Sequence, residues 1–454
     1  MASGKAGKIP YIVLGMGRTG LSCARFLAAR GLEFAVADTR EHPPALESFR
    51  RGFPGVELRT GAFGTDFLAG ANELLLSPGI DPRLPALVAA RAAGAVVLGD
   101  IELFHREAHA PIVAITGTNG KSTVTMLVAL MAQAAGMRCG YGGNLGTPAL
   151  DLLDSAVELY VLELSSFQLE TVVDFAARVA TVLNVAPDHL DRYPDLEAYR
   201  QAKLRIYDGA RHVVFNRDDP GTVPPAHCTA VRSSFGVGAA SAVQYGLLAR
   251  DGQTWLARGD EPLLAVSELA LRGQHNVSNA LAALALAAAA DIPCAAQLEV
   301  LREYRGLPHR CQHLRRLDGV DYYDDSKGTN VAATVAALRG LGADLAGRIV
   351  LIAGGVAKES EFGALGVELR RIGRAVVLIG EAAQLMCHAL ADAVPVRLAP
   401  DMDEAVATAR GLALSGDIVL LSPACASFDM FRDYEARGDA FARAVQTLDP
   451  AGGG

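Results

Sequence analysis

The chain has 454 residues, of which 51% are apolar and 20% charged, with a formal net charge of −8. That length exceeds what one hydrophobic core organises, so two or three domains are expected, and the acidic balance argues against general nucleic-acid binding. The seven cysteines are 23, 139, 228, 294, 311, 387 and 425, with no Cys-x-x-Cys pair, so neither a disulfide framework nor a structural zinc site is indicated and a reducing cytoplasm fits.

Met1 to Lys8 is small and basic, but the apolar run after it, Tyr11 to Leu14, is too short for a signal-peptide core or a membrane span. That run reads as a buried parallel-type strand. Gly15-Met16-Gly17-Arg18-Thr19-Gly20 follows, then a helix from Leu21 to Arg30 and a second strand, Phe34 to Ala37, with Asp38 at its C-terminal end. Gly-x-Gly-x-x-Gly followed about 20 residues later by an acid is a dinucleotide-binding fingerprint. The motif alone leaves three readings open: an NAD fold, a turn of the same shape for another nucleotide ligand, and a plain βαβ unit with glycines at a tight turn. Glu73 to Ile80 is a further strand and turn, and Ala95 to Leu98 closes this segment.

The second segment carries the most specific signal in the chain. Ile112 to Ile115 is apolar and strand-like. Gly117-Thr118-Asn119-Gly120-Lys121-Ser122-Thr123 comes next, and a helix-like run spans Val124 to Ala135. Strand, Gly-rich turn and helix in that order make a phosphate loop. Backbone N–H groups and the helix N-terminus face an anion, Lys121 adds a full charge, and Ser122 or Thr123 offers a hydroxyl to Mg²⁺. The loop is a shortened form, because Ile115 stands where a longer phosphate loop has its first Gly. An ordinary glycine turn is the bland alternative. Nucleoside triphosphate binding is therefore expected before any family is considered.

Gly142-Gly143-Asn144-Leu145-Gly146 follows a short strand. Leu159 to Leu162 delivers Glu163, and Ala180 to Asn184 leads to Asp188 and His189. The C-terminal ends of parallel strands face one edge, so Lys121, Glu163 and His189 are expected to converge there as ligand-positioners or Mg²⁺ ligands. Tyr199 to Tyr207 looks helical and carries Lys203, which on its own reads as a solvated face. Arg211 to Asn216 is a strand, and 218–266 holds short strands and many turns. Gly273 to Asn279 leads into a helix, Ala280 to Ala290, too short to span a membrane; Asn276 and Asn279 are either helix caps or base-facing groups. The third segment places a strand at Asp321 to Asp324 before Asp325-Ser326-Lys327-Gly328-Thr329-Asn330. A helix from Val331 to Leu338 follows, then buried strands at Arg348 to Ala353, Ala375 to Gly380 and Asp417 to Pro423. The fold class is α/β, in three domains. These are a Rossmann-like N-terminal domain at 1–99, a central phosphate-loop ATPase domain with a mainly parallel sheet at 100–306, and a Rossmann-like C-terminal domain at 307–454.

Together the motifs resemble the Mur ligase family. They are Gly117 to Thr123, Glu163-Leu164-Ser165-Ser166-Phe167-Gln168, Asn184-x-x-x-Asp188-His189-Leu190-Asp191, Gly273-Gln274-His275-Asn276, Pro308-His309-Arg310 and Asp325-Ser326-Lys327-x-Thr329-Asn330. Gly15 to Gly20, Asp38-Thr39-Arg40 and Ser422 to Ser427 are similar to the branch that adds D-glutamate. The resemblance implies ATP-dependent amide synthesis in peptidoglycan assembly, through an acyl phosphate of UDP-N-acetylmuramoyl-L-alanine that D-glutamate attacks. It implies ATP at Gly117, Thr118, Asn119, Gly120, Lys121, Ser122, Thr123, Asn276, Asn279, Arg310 and Asp325. Mg²⁺ would lie at Ser122 and Glu163 and again at His189 and a carbamylated Lys203, with Lys121, Glu163, His189 and Lys203 as the catalytic set. It places the UDP-linked substrate at Arg18, Thr19, Thr39, Arg40 and Asn144, and glutamate at Lys327, Thr329, Lys358, Ser427 and Tyr434. The implied partners are small molecules, with no nucleic acid, no membrane and a monomeric chain in the cytoplasm. The third domain is expected to close on the second when ATP binds. Competing readings are another Mur-family or folylpolyglutamate synthase-like ligase, an NAD-dependent oxidoreductase with an accessory ATPase domain, and a non-catalytic nucleotide-binding scaffold.

Overall fold

A computed structural model describes residues 9–43, 45–190, 192–239, 241, 244–271, 273–306, 308–342, 345–357 and 362–449. Asp191 and the expected glutamate ligand Lys358 lie outside the described residues. The chain forms three α/β domains, each built on one sheet.

The first sheet has strands β1 (Ile9–Leu14), β2 (Phe34–Asp38), β3 (Leu58–Thr60), β4 (Ala71–Leu76) and β5 (Val96–Gly99), all parallel, in the order β3-β2-β1-β4-β5. Continuous apolar runs such as Ile12 to Leu14 and Leu74 to Leu76 are buried on both faces, as a helix-covered parallel sheet requires. Strand order reverses between β1 and β4, and the Gly15–Gly20 turn sits at that crevice. The turn is tight: a Cβ on Gly20 would lie 1.8 Å from the Gly15 carbonyl oxygen. No larger residue than Gly fits there without moving the strand end.

The second sheet contains β6 (Ile112–Thr116), β7 (Cys139–Gly143), β8 (Leu159–Glu163), β9 (Val179–Val182), β10 (His212–Asn216), β11 (Val231–Phe235), β12 (Tyr245–Arg250), β13 (Gln253–Arg258) and β14 (Glu261–Ala265). Their order is β14-β13-β12-β11-β10-β9-β6-β8-β7, parallel from β12 to β7 and antiparallel at the β12-β13-β14 meander. The meander is what the poorly patterned 218–266 stretch becomes. Its first turn is Asp251-Gly252, both at positive φ (53° and 73°), as a two-residue hairpin needs. β6 lies between β8 and β9, with Ile115 opposite Glu163 and Thr116 opposite Val182. The register alone thus brings the phosphate loop, Glu163 and the loop after β9 to one edge.

Two helices start earlier than the apolar pattern predicts. One runs Lys121–Ala134 and the other Gln274–Ala289. Their first turns are polar, so hydrophobic periodicity carries no signal there.

The third sheet contains β15 (Gln312–Leu317), β16 (Val320–Asp324), β17 (Ile349–Gly354), β18 (Gly373–Ile379), β19 (Val396–Leu398) and β20 (Ile418–Leu421), in the order β15-β16-β20-β17-β18-β19. Only β15 runs antiparallel to its neighbour. Two clusters of buried apolar side chains cover its two faces.

The chain folds into two compact units. The first holds 1–269 and 277–303 and so contains the first two sheets; the second holds 270–276 and 304–454 and contains the third sheet. Inside the first unit one apolar cluster runs from Leu27 and Phe49 to Tyr160 and Leu162, with Phe104 edge-on to Tyr160 at 4.9 Å. Phe104 belongs to the helix Asp100–Glu107, which joins the first two domains. Polar contacts add to it: Ser22 donates to Asp151 (2.9 Å), Arg25 pairs with Asp151, and Glu102 accepts from the Val173 N–H (2.8 Å). Among the described residues no disulfide forms and no helix is long and apolar enough to cross a membrane.

Asp100 opens that joining helix, is 2% exposed, and accepts from Gln168 Nε2 at 3.2 Å. Burial pushes its carboxyl up to about 6, against the pull of Gln168 and of nearby backbone amides. The unfolded group titrates near 3.9. Between those values the folded chain binds the extra proton, so this group's contribution to stability falls as pH rises from about 4 to about 6 and stays low above. Asp100→Asn mimics the protonated form. Thermal unfolding should show it stabilised relative to wild type at pH 8, by about 2–3 kcal/mol, with the difference vanishing near pH 4.

Candidate functional site

Gly120 ends the phosphate loop at φ +81°, and a Cβ on it would lie 2.5 Å from Asn279 Oδ1. The loop is held by the segment after β9. The Asn184 carbonyl accepts from the Thr118 N–H (3.0 Å). The Asn184 side chain accepts from the Asn119 N–H (2.8 Å) and donates to the Asn119 carbonyl (3.0 Å). Thr118 Oγ1 donates to the Ala186 carbonyl (3.2 Å) and accepts from the Ala186 N–H (3.0 Å). The expected strand ends two residues before Asn184, which leaves this side chain in the loop rather than in the ladder.

Two lysine nitrogens meet at one carbonyl. Lys121 Nζ donates to the carbonyls of Gly117 (2.8 Å) and Thr118 (2.8 Å), and Lys203 Nζ donates to that of Gly117 (2.9 Å). Lys203 is 1% exposed, so it is not the solvated helix-face residue its position alone indicates. Burial, reinforced by the charge of Lys121, pushes its pKa well below the ordinary lysine range, against the pull of Asp188 and Glu163. The Lys121 charge on a Gly-rich loop at a helix N-terminus is an attractor for a multivalent anion.

Glu163 ends β8 and is 3% exposed. Ser122 Oγ donates to its Oε2 and Asn144 Nδ2 to its Oε1, each at 2.6 Å. One buried carboxylate therefore joins the phosphate loop to the Gly142–Gly146 loop. Among the described residues no group of three or more His, Cys, Asp or Glu is placed to hold a metal. Mg²⁺ does not require one: it keeps several waters and takes one or two protein oxygens beside substrate phosphates. The Ser122 hydroxyl and Glu163 carboxylate are such a pair, so the residues fit that ion.

His189 lies at the outer side of this site at φ +54°. Its ring is 4.8 Å from Phe167 and 6.1 Å from Tyr199, and its Nε2 is 3.6 Å from Asp188. The Tyr199 hydroxyl is 3.4 Å from Thr118 Oγ1, and its ring lies 4.4 Å from Lys203 Nζ. Asn184, Phe167 and Tyr199 are site residues that sequence reasoning did not assign a role. Tyr199 was findable, since it precedes Lys203 by four positions and so shares its helix face.

In the first domain Arg18 and Thr19 begin the helix Arg18–Ala29, and the Arg18 guanidinium donates to the Gly146 carbonyl. The first-domain turn and the Asn144 loop are thus brought together, while Thr39 and Arg40 lie exposed after β2. Asp38 is committed within its own domain. It accepts from the Met16 N–H (2.7 Å) and from Arg40 Nε and Nη2 (2.8 and 2.6 Å). Burial raises its pKa, but the Arg40 and Met16 hydrogen bonds outweigh this and hold it below the usual carboxylate range. The acid on which a ribose reading depends is therefore saturated by the loop it stabilises.

The second unit carries Asn276, Arg310 and Asp325; the first carries Lys121, Ser122 and Asn279. Asp325 is 8% exposed, accepts from Ser422 Oγ (2.7 Å) and from the Cys311 N–H (3.2 Å), and is pushed up to about 6 by burial. Of the expected glutamate ligands, Lys327 Nζ lies 5.1 Å from the Tyr434 ring. Ser427 is buried in the loop after β20, and Thr329 follows Lys327 in the turn after β16.

Comparison with known proteins gives three family matches in chain order. Residues 10–99 match the N-terminal domain of MurD-like Mur ligases, 115–287 the Mur ligase middle domain, and 309–425 the glutamate ligase domain of Mur ligases. The UDP-N-acetylmuramoylalanine--D-glutamate ligase of Pseudomonas aeruginosa is 55% identical over 437 residues, 96% of this chain and 98% of the relative. That of Pseudomonas putida is 55% identical over 441 residues, 96% and 97% of the two chains. Among solved structures, the UDP-N-acetylmuramate-alanine ligase MurC of Thermotoga maritima aligns with a TM-score of 0.59 at 20% identity, over 96% of this chain and 99% of that one, a likeness of fold.

The Asn184 clamp yields a direct expectation. Asn184→Ala removes two side-chain hydrogen bonds from the phosphate loop and should weaken binding of a fluorescent ATP analogue about tenfold or more, with little change in thermal unfolding.

Proposed function

The chain belongs to the Mur ligase family, and we infer that it joins D-glutamate to UDP-N-acetylmuramoyl-L-alanine, with cleavage of ATP to ADP and phosphate, in peptidoglycan precursor synthesis. The muramoyl-alanine carboxylate takes the γ-phosphoryl group and becomes an acyl phosphate. The amine of D-glutamate then adds to the acyl carbon, loses a proton, and the tetrahedral intermediate expels phosphate to leave the amide.

One observation carries the reading. Arg18 bonds to Gly146, Asn144 to Glu163, and Glu163 to Ser122, a continuous polar path from the first-domain turn to the phosphate loop. Such a path suits a uridine diphosphate carrier gripped by the first domain with its carboxylate presented to ATP in the second. Arg18, Thr19, Thr39, Arg40 and Asn144 would hold the carrier, with the arginine charges directed at the diphosphate. Gly117 to Thr123 would cradle the ATP phosphates, and Lys121 would offset the charge that builds up as two anions approach. Asn276, Asn279, Arg310 and Asp325 would complete the ATP site.

Ser122 and Glu163 would hold Mg²⁺, whose contribution when bound is to draw charge off the transferring phosphoryl group. His189 and Lys203 would serve a second ion if Lys203 is carbamylated. A neutral amine is what adds to CO₂, forming an N–C bond and releasing a proton, and the depressed pKa of Lys203 favours that form. Lys327, Thr329, Ser427 and Tyr434 would bind D-glutamate together with Lys358, giving cations and hydroxyls to a dicarboxylate. Seven cysteines without a disulfide among the described residues support a cytoplasmic setting, and a monomeric chain acting on small molecules, with neither nucleic acid nor membrane as partner, completes the proposal.

Phosphate release should require UDP-N-acetylmuramoyl-L-alanine, ATP, Mg²⁺ and D-glutamate together, and L-glutamate should not replace the D-form. Release that does not depend on the amino acid would remove the ligase reading. Lys121→Ala should abolish turnover with the fold intact by circular dichroism; wild-type rates would end the phosphate-loop assignment. Lys203→Ala should lose activity that short carboxylates partly restore, and an active variant would exclude the carbamate.

A further inference from the structure

Arg437 lies near the start of the helix Tyr434–Gln446 and is 1% exposed. Its guanidinium spans three loops. Nε donates to Ser326 Oγ (3.0 Å) and Nη2 to the Ser326 carbonyl (2.8 Å), while Nη1 reaches the carbonyls of Cys425 (3.1 Å) and Gly354 (3.4 Å). The three residues that supply these oxygens each lie at or beyond the C-terminal end of a different strand. Ser326 follows β16 and adjoins Lys327, Gly354 ends β17 shortly before Lys358, and Cys425 follows β20 two residues before Ser427. The helix end is fastened too, since Ser326 Oγ donates to the Tyr434 carbonyl at 2.8 Å.

The packing leaves little freedom around this fork. Val356 and Ala426 exchange two backbone hydrogen bonds of 2.9 Å, and a Cβ on Gly355 would lie 2.1 Å from the Ala426 carbonyl oxygen and 3.2 Å from Arg437 Nη1. Burial lowers the Arg437 pKa to about 10, with Cys425, Asp429 and Asp324 opposing, so the group keeps its charge at neutral pH. All four oxygens that accept from it are uncharged. Its hydrogen bonds go to sequence neighbours of residues proposed to hold the amino acid.

We propose that Arg437 is a positioning residue of the amino-acid pocket, its planar fork setting the spacing of the segments that carry Lys327 and Ser427 against the end of β17. This rests on the D-glutamate reading given above. A lysine has one nitrogen where three act here, so it cannot hold all the acceptors at once.

The test is steady-state kinetics on the full-length enzyme with each substrate varied in turn. Arg437→Met keeps much of the volume and should raise KM for D-glutamate about ten- to a hundredfold, well beyond any rise in KM for ATP, whose proposed ligand Asp325 adjoins Ser326, and leave KM for UDP-N-acetylmuramoyl-L-alanine at wild-type values. Arg437→Lys should restore part of the loss. An unchanged KM for D-glutamate in Arg437→Met, or equal rises in all three KM values, would overturn the proposal. Should that variant not fold, Ser326→Ala removes the hydroxyl that accepts from Nε, and an unchanged D-glutamate KM there would overturn it equally. Wild-type enzyme run in parallel separates the two claims. If it shows no D-glutamate dependence the ligase reading fails, whereas normal wild-type dependence with unaltered variants removes only the role of Arg437.

Discussion

A carboxylate taken out of water must be matched by donors, and the donors it recruits fix whatever carries them. Glu163 imposes that constraint on the first unit. Its two oxygens are met by Ser122, in the first turn after the phosphate loop, and by Asn144, in the loop after β7. Because Gly146 in the same loop accepts from Arg18, the order reaches the first-domain turn. One buried negative charge at the end of β8 thus aligns three segments spread across the first two domains. Two lysine nitrogens lie close by, Lys121 and Lys203, both donating to the Gly117 carbonyl. The Lys121 charge beside the backbone N–H groups of a Gly-rich turn is what suits this edge to an anion.

The three domains use the same geometric device with different chemistry. In each, strand order reverses and loops from neighbouring strands gather at one crevice. In the first, the acid that would distinguish a ribose hydroxyl is neutralised by Met16 and Arg40, so the turn keeps its shape without that specificity. In the second, the crevice holds lysines, a hydroxyl and a carboxylate. In the third, a buried guanidinium gathers the loops. Fold alone would not have separated these roles.

Much of this was legible in the sequence, and the illegible parts have physical causes. Buried parallel strands are apolar runs flanked by turns, and β1, β6, β8, β17 and β20 follow from the two ingredients of that signal, composition and spacing. That the Gly117–Thr123 turn and Glu163 meet at one sheet edge was readable, because both follow the C-terminal ends of neighbouring parallel strands. Polar first turns were not, since Lys121 to Thr123 and Gln274 to Asn279 show no apolar stripe until the helix is under way. Asn184 was hidden at a strand end where an amide has many uses. Arg437 left a trace: it shares a helical face with Phe441, Ala444 and Val445, all buried. A charge on an apolar stripe reads as an error in the pattern until the structure supplies its four acceptors.

Arg437 and Lys203, each 1% exposed, make opposite use of burial. Desolvation lowers the pKa of both. For a guanidinium that starts above 12, a fall to about 10 leaves the charge in place, so Arg437 remains a permanent five-donor fork and suits a fixed mechanical task. An amine starts lower, and burial, with the neighbouring charge of Lys121, drives Lys203 well down toward the neutral form. A lysine at the position of Arg437 would lose the fork; an arginine at the position of Lys203 would lose access to a neutral nitrogen. Residue choice at each position follows from whether the site needs a charge that stays or a nitrogen that can react.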